Sequence, residues 1–161
     1  LLDKNDKLLK DNDERMIFFT KGVIETVKKL NWSPDIIHLH GWFTSLFPLY
    51  IKKLYSDDPI FEKCKIISSI YSKSFDGNLS KSLPKKIQFD GIEDTLSSIS
   101  TPDFNSLNEL MIEYSDSVIL SSEKTEKEIT AFIKKKSKDC LSYKDSLSDE
   151  KLLDFLLNNL V

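Results

Sequence analysis

Hydrophobic residues recur along this chain in two rhythms, a helical repeat of about 3.6 residues and short unbroken runs. Met16, Phe19, Val23, Val27 and Leu30 follow the first, with Ile17 and Ile24 beside them, and predict an amphipathic helix over about Asn12 to Leu30. Asp11 or Asn12 can cap it, Asp13 and Glu14 suit its positive end, and Lys28 and Lys29 its last turn. The polar, lysine-rich residues before it read as a loop or hairpin remnant. The apolar run Ile36-Ile37 and Leu39, introduced by Pro34-Asp35 and ended by Gly41, predicts a strand over about Asp35 to His40, buried on both faces. Phe43, Leu46, Phe47, Tyr50, Ile51 and Leu54 then restore the helical rhythm, with Pro48 inside it marking a kink or restart. After a loop at Ser56 to Pro59, Lys65 to Tyr71 predicts a second strand, and Ser72 to Asn78 a loop at its carboxyl end.

Leu79 to Pro102 mixes serine, lysine and proline with apolar pieces around Ile87 to Phe89 and Ile92 to Ile99; short helices and loops over the sheet ends are expected. Phe104, Leu107, Leu110, Met111 and Tyr114 predict a helix, and Ser117 to Ser121 a third strand. Ser121 or Ser122 is the expected cap of the next helix, whose apolar side is Ile129, Phe132 and Ile133 and whose end is Lys134 to Lys136. Ser148-Asp149-Glu150 opens a final helix expected to bury Leu152, Leu153, Leu156, Leu157 and Leu160 and to end the chain. The alternation of strand and helix predicts one α/β domain over residues 1–161, with a parallel sheet, right-handed crossovers and helices on both faces. Three strands are few beside the usual mean of roughly 5–6, so further strands are expected in the ambiguous segments or before Leu1.

Charge and cysteine content narrow the function classes. Lys+Arg 23 against Asp+Glu 26 leaves no basic excess for a dedicated nucleic-acid binder. Arg15 is the single arginine, so forked recognition of phosphate has one candidate. Cys64 and Cys140 are too far apart for a metal or redox motif and read as reduced thiols of a cytoplasmic protein. No apolar run approaches the roughly 20 residues of a membrane span. No signal-peptide pattern is present, although Leu1 is not a start methionine.

The candidate chemistry collects at the carboxyl end of the first strand, where open α/β sheets bind ligands. His38 and His40 are two apart and share a face of that strand. His-x-His can supply two metal ligands, but no third is evident and no metal is assigned. His40 can instead bond a sugar hydroxyl, with Gly41 letting the substrate approach the backbone and a helix from Trp42 offering N–H groups to an anion. Spacing alone favours a satisfied core histidine at 38 and a capping histidine at 40. Ser72 and Ser121-Ser122, at the ends of the later strands, would share the rim. No glycine-rich phosphate loop occurs.

Asp11-Asn12-Asp13-Glu14-Arg15-Met16-Ile17-Phe18-Phe19 followed by Trp32-Ser33-Pro34-Asp35-Ile36-Ile37-His38-Leu39-His40-Gly41-Trp42 resembles the N-terminal domain of bacterial glycogen and starch synthases. That family carries an Asp-Asn…Arg-Phe helix and then Pro-Asp, two apolar residues and His-x-His-Asp-Trp. The similarity continues through Phe47-Pro48-Leu49-Tyr50, Ile70-Tyr71-Ser72, Phe75-Asp76-Gly77 and Tyr114 to Glu123. Short forms from Bacteroidetes-type bacteria, with glycine before the tryptophan, resemble it in particular. The resemblance implies a Rossmann-like, partial N-terminal domain of a GT-B glycosyltransferase, moving glucose from ADP-glucose to an α-1,4-glucan without metal or other cofactor. It implies that His40 contacts the transferred glucose as the catalytic residue. Asp11, Asn12 and Arg15 would support the acceptor side, and Gly41, Trp42, Tyr71, Ser72, Ser121 and Ser122 would line the substrate cleft. Tyr71-Ser72 stands where the family has His-Asn, and Ser122-Glu123 where it has Ser-Pro. The family's Lys-x-Gly-Gly-Leu motif and its second domain have no counterpart here. This chain alone is therefore expected to be inactive, with a partner domain or subunit completing the cleft. The alternative implied is a non-catalytic module that binds glucan or a sugar nucleotide.

Overall fold

A computed structural model of the chain describes residues 1–5, 7–93 and 99–160. Its elements are α1 (Asn12–Lys29), β1 (Ile36–His40), α2 (Leu46–Leu54), β2 (Lys65–Ile70), α3 (Leu83–Phe89), α4 (Phe104–Tyr114), β3 (Ser117–Leu120), α5 (Lys127–Lys135), β4 (Asp139–Leu141), α6 (Tyr143–Ser146) and α7 (Asp149–Asn158). The strands form one parallel sheet in the spatial order β1-β2-β3-β4, as the strand–helix alternation predicts.

The register decides what each face carries. His38 lies beside Ile67 and His40 beside Ser69, while Ile67 lies beside Ser117 and Ser69 beside Ile119. Paired residues of a parallel sheet share a face, so one face presents Leu39, Ile66, Ile70 and Val118, and the other His38, His40, Ile67, Ser69 and Ile119. Right-handed crossovers in a sheet laid down in chain order put the connecting helices on one side. There α2 packs on α4 and α4 on α5, while α1 packs on α2 and α3. Leu39, Ile66, Ile70 and Val118 join Leu46, Leu49, Ile51, Leu107, Met111 and Ile129 in the core of that side. The opposite face is met by α6 and α7. No helix among the described residues is long and apolar enough to cross a membrane.

Two carboxylates fix the inner elements. Asp116 accepts from the Ile66 amide at 2.7 Å and pairs with Lys52 at 3.1 Å, tying the starts of β2 and β3 to α2. Asp103 caps α4 by accepting from the Ser106 amide at 2.7 Å, while the Ser106 hydroxyl accepts from the Asp103 amide at 2.9 Å. Loss of such a reciprocal cap costs about 1 kcal/mol. Asp103→Ala should therefore lower the urea midpoint at unchanged denaturant slope; an unshifted midpoint would mean the cap contributes nothing.

Several expectations need correction. The buried side of α1 is Asn12, Asp13, Met16, Thr20 and Ile24, while Phe19 is 42% and Leu30 67% exposed. Thr20 sits in the middle of the buried stripe, which a hydrophobicity pattern passes over. Asp11 occupies the cap position of α1 without a capping bond and pairs instead with Arg15 at 2.9 Å. Neither Ser121 nor Ser122 caps α5, which begins at Lys127 after Glu126; the Ser122 carbonyl accepts from the Thr125 hydroxyl in the turn between. Ser148 does cap α7, by accepting from the Lys151 amide, yet α7 has no fully buried residue, because only one of its sides meets the sheet. The chain restarts at Leu46, so Pro48 lies in the first turn of α2, where its missing N–H costs no helical bond. The fourth strand, β4, lies in neither of the places where further strands were expected: it follows α5, three residues with one aliphatic side chain, too short for its periodicity to be read. The Leu1 to Lys10 segment does close on itself through an antiparallel bridge between Leu2 and Leu8. Of the ambiguous apolar stretch Ile92 to Ile99, residues 94–98 lie outside the described residues.

Candidate functional site

The site is built on the ends of β1 and β2. At the tip of β1 the Gly41 amide still bonds the Ser69 carbonyl at 3.1 Å, and the chain then turns away with φ 72° and ψ 173° at Gly41. That conformation is open essentially to glycine; any other residue would carry about 1–3 kcal/mol of strain. A single 3₁₀ turn, Trp42–Thr44, follows in place of the helix expected from Trp42. Its amides at Thr44 and Ser45 are taken by the carbonyls of Gly41 and Trp42.

Two matched rungs cross from β1 to β2. His38 Nε2 lies 2.8 Å from Ser69 Oγ, and His40 Nδ1 lies 2.9 Å from the Tyr71 hydroxyl. The two imidazoles stack with centroids 4.2 Å apart. Burial first, and the neighbouring His40 second, pull His38 from 6.5 down to about 4, so its ring is neutral at pH 7. His40 is exposed, and among the described residues its Nε2 makes no hydrogen bond. Whichever tautomer Tyr71 selects, that nitrogen is left as a donor or an acceptor.

A cleft of about 230 Å3 opens beside these rungs. His38, His40, Ser69, Tyr71, Ile119 and Ser121 line it from the sheet, and Tyr143, Ser146, Leu147 and Leu152 from α6, the turn after it and α7. Three of the residues expected in the site, His40, Tyr71 and Ser121, thus meet in one place. Ser69 was missed, although strand alternation puts it on the same face as Tyr71. The α6–α7 residues carry no sequence signal of a site.

The other expected residues lie elsewhere. Trp42 is 8% exposed, packed edge-on against Phe75 at 4.7 Å. Asp11 and Arg15 pair with each other on the surface at the start of α1. Asn12 is buried beside them and donates to the Leu1 carbonyl at 2.8 Å. Ser72 is exposed in the loop after β2 and Ser122 half-buried after β3; neither lines the cleft. Both cysteines are free, and burial pushes their thiols up to about 11.

Comparison with known proteins places this arrangement. A glycogen synthase of Clostridium perfringens is 37% identical over 120 residues, 74% of this chain and 25% of that protein. A glycogen synthase of Chlorobium luteolum is 42% identical over 84 residues, 49% of this chain and 17% of that protein. The chain thus spans about a quarter or less of the length of these relatives. The fold matches the catalytic domain of starch synthase IV from Arabidopsis thaliana, bound to ADP and acarbose, with a TM-score of 0.63 at 18% identity, over 86% of this chain and 32% of that one. The family model described as the starch synthase catalytic domain matches residues 3–141, most of the chain, and the protein therefore belongs to that family.

Proposed function

We propose that this chain forms the sugar-binding part of a glycogen or starch synthase-type glycosyltransferase, which moves a glucosyl unit from ADP-glucose to the end of an α-1,4-glucan. The observation that carries this reading is His40 at the strand tip, bonded through Nδ1 to Tyr71, with Nε2 left to the cleft in a member of this family. Relatives named as glycogen synthases, and a neighbour of the same fold bound to ADP and acarbose, support it. In this reading His40 bonds a hydroxyl of the transferred glucose, and the Ser121 and Tyr71 hydroxyls bond others. Asp11, Asn12 and Arg15 support the acceptor side, Ser72 and Ser122 belong to the outer rim, and Gly41 and Trp42 shape the turn that carries His40. A second domain or subunit supplies the nucleotide half of the cleft, and this chain alone does not turn over.

The test is incorporation of ADP-[14C]glucose into glycogen by the natural polypeptide that carries this chain, with His40→Ala alongside. One hydrogen bond to a sugar hydroxyl contributes on the order of 1 kcal/mol, so the variant should lose about fivefold in kcat/KM. Absence of incorporation by the folded polypeptide together with the domain or subunit that completes its cleft would overturn the transferase reading.

A further inference from the structure

The outer face of α1 carries a pattern that its own fold does not use. Asp11 at the cap position, then Arg15, Phe18, Gly22, Glu25 and Lys29, follow one another at spacings of four and three, and all six are exposed. A helix shows that rhythm along a seam with a second helix. The seam is apolar at its centre and charged at both ends. Phe18 is 81% exposed, and Phe89 of α3, 92% exposed, stands across a groove of about 500 Å3 that Ile17 and Gly22 also line. Contiguous exposed apolar surface of this kind marks an interaction site.

Gly22 shapes what can dock there. Glycine inside a helix is destabilising relative to alanine. A Cβ at this position would meet nothing within 4 Å, so no contact within the chain requires its absence. The glycine keeps a hollow at the middle of the seam, one turn from the projecting Phe18. Ring and hollow lie symmetrically about the level of Thr20, and so do the charges: Arg15 mirrors Glu25, and Asp11 mirrors Lys29. We infer that α1 pairs antiparallel with α1 of a second copy of this chain, about a twofold axis at that level. Phe18 of each copy then covers Gly22 of the other, Arg15 meets Glu25, and Asp11 meets Lys29, which has no ionic partner among the described residues. Parallel pairing would set each charge on its like. Within one chain Asp11 bonds Arg15 at 2.9 Å, and Glu25 accepts from the Tyr55 hydroxyl at 3.0 Å. Such exposed contacts contribute little and leave charge for the partner. Asp11 and Arg15 serve this pairing whether or not they also support an acceptor. With 18 residues α1 is about 27 Å long, so the interface is small and the association weak.

Sedimentation equilibrium of the full chain between about 1 and 500 µM tests this. A monomer–dimer equilibrium is expected, with a dissociation constant of about 1–100 µM. Gly22→Leu fills the hollow and should weaken association at least about tenfold, while the thermal midpoint of the dilute monomer does not fall, because leucine is the better helix former. Lys29→Glu should weaken it about fivefold, and the double variant Asp11→Lys, Lys29→Glu should recover the loss. A chain that stays monomeric throughout overturns the inference, and leaves the seam to another segment of the natural polypeptide or to a different partner. A dimer that Gly22→Leu does not weaken, or a double variant that recovers nothing, overturns it as well. The readout is mass and not sugar binding, so each of these results leaves the proposed function standing.

Discussion

Replacing Trp42 with alanine is expected to destabilise the chain by about 3–5 kcal/mol, the usual cost of removing a large buried aromatic side chain. Domains of this size are stable by only about 5–15 kcal/mol, so the variant should be partly unfolded near its working temperature. The reason is the position of the ring. Trp42 packs against Phe43 at 5.7 Å and Phe75 at 4.7 Å, and Phe75 packs in turn against Phe104 at 5.6 Å. This aromatic row joins the turn after β1 to the loop after β2 and to the start of α4. Urea denaturation measures the loss, and Trp42→Phe should recover much of it. A loss below about 1 kcal/mol, accompanied by loss of sugar binding, would show that Trp42 acts at the ligand and not in the core.

Acid should weaken the fold through His38. Its folded-state value of about 4 lies below the 6.5 of the free side chain, so the unfolded chain binds the extra proton as pH falls. The neutral ring's contribution is complete above pH 6.5 and is lost progressively down to about pH 4. A shift of this size, discounted for the ring's partial contact with solvent, corresponds to about 2 kcal/mol. His38→Gln, which removes the titrating ring, should show a correspondingly shallower loss of stability between pH 7 and pH 4. Parallel curves for the two proteins would mean that His38 titrates normally in the fold. The imidazole Cε1–H signal of His38 gives an independent reading, with its midpoint near pH 4 as the expected result.

The parts of this architecture that were legible in the sequence are those with strong periodicity. Ile36 to Leu39, Lys65 to Ile70 and Val118 to Leu120 announce parallel strands, and all three pair in one sheet, but β1, expected to be buried on both faces, buries only Leu39 fully because its histidine face opens to the cleft. The strand-tip histidines were legible too, because alternation alone puts His38 and His40 on one face. What they meet was not, since register is a tertiary property: nothing local pairs His38 with Ser69, or His40 with Tyr71, residues 31 positions away. β4 was invisible because Asp139-Cys140-Leu141 becomes a strand through the neighbouring β3 and not through its own pattern. Trp42 illustrates a limit of another kind. An aromatic residue beside a strand-tip glycine reads alike whether it lines a pocket or supports it, and only the positions of Phe75 and Phe104 separate the two. The leucines at 152, 153, 156, 157 and 160 looked like one buried stripe, yet α7 contacts the sheet along one side and leaves Leu153 and Leu157 exposed, as is Leu160 after its end.

We propose that the cleft beside His40 receives a glucosyl ring. The chain has two histidines, His38 and His40, and both line this cleft, so the imidazole signals report on it without a label elsewhere. Titrating methyl α-glucoside into the chain should shift the His40 Cε1–H signal saturably, with a smaller shift at His38 deeper in the cleft, and His40→Ala should weaken binding. Saturable binding of the sugar with neither imidazole signal moving would place the sugar elsewhere and contradict the account.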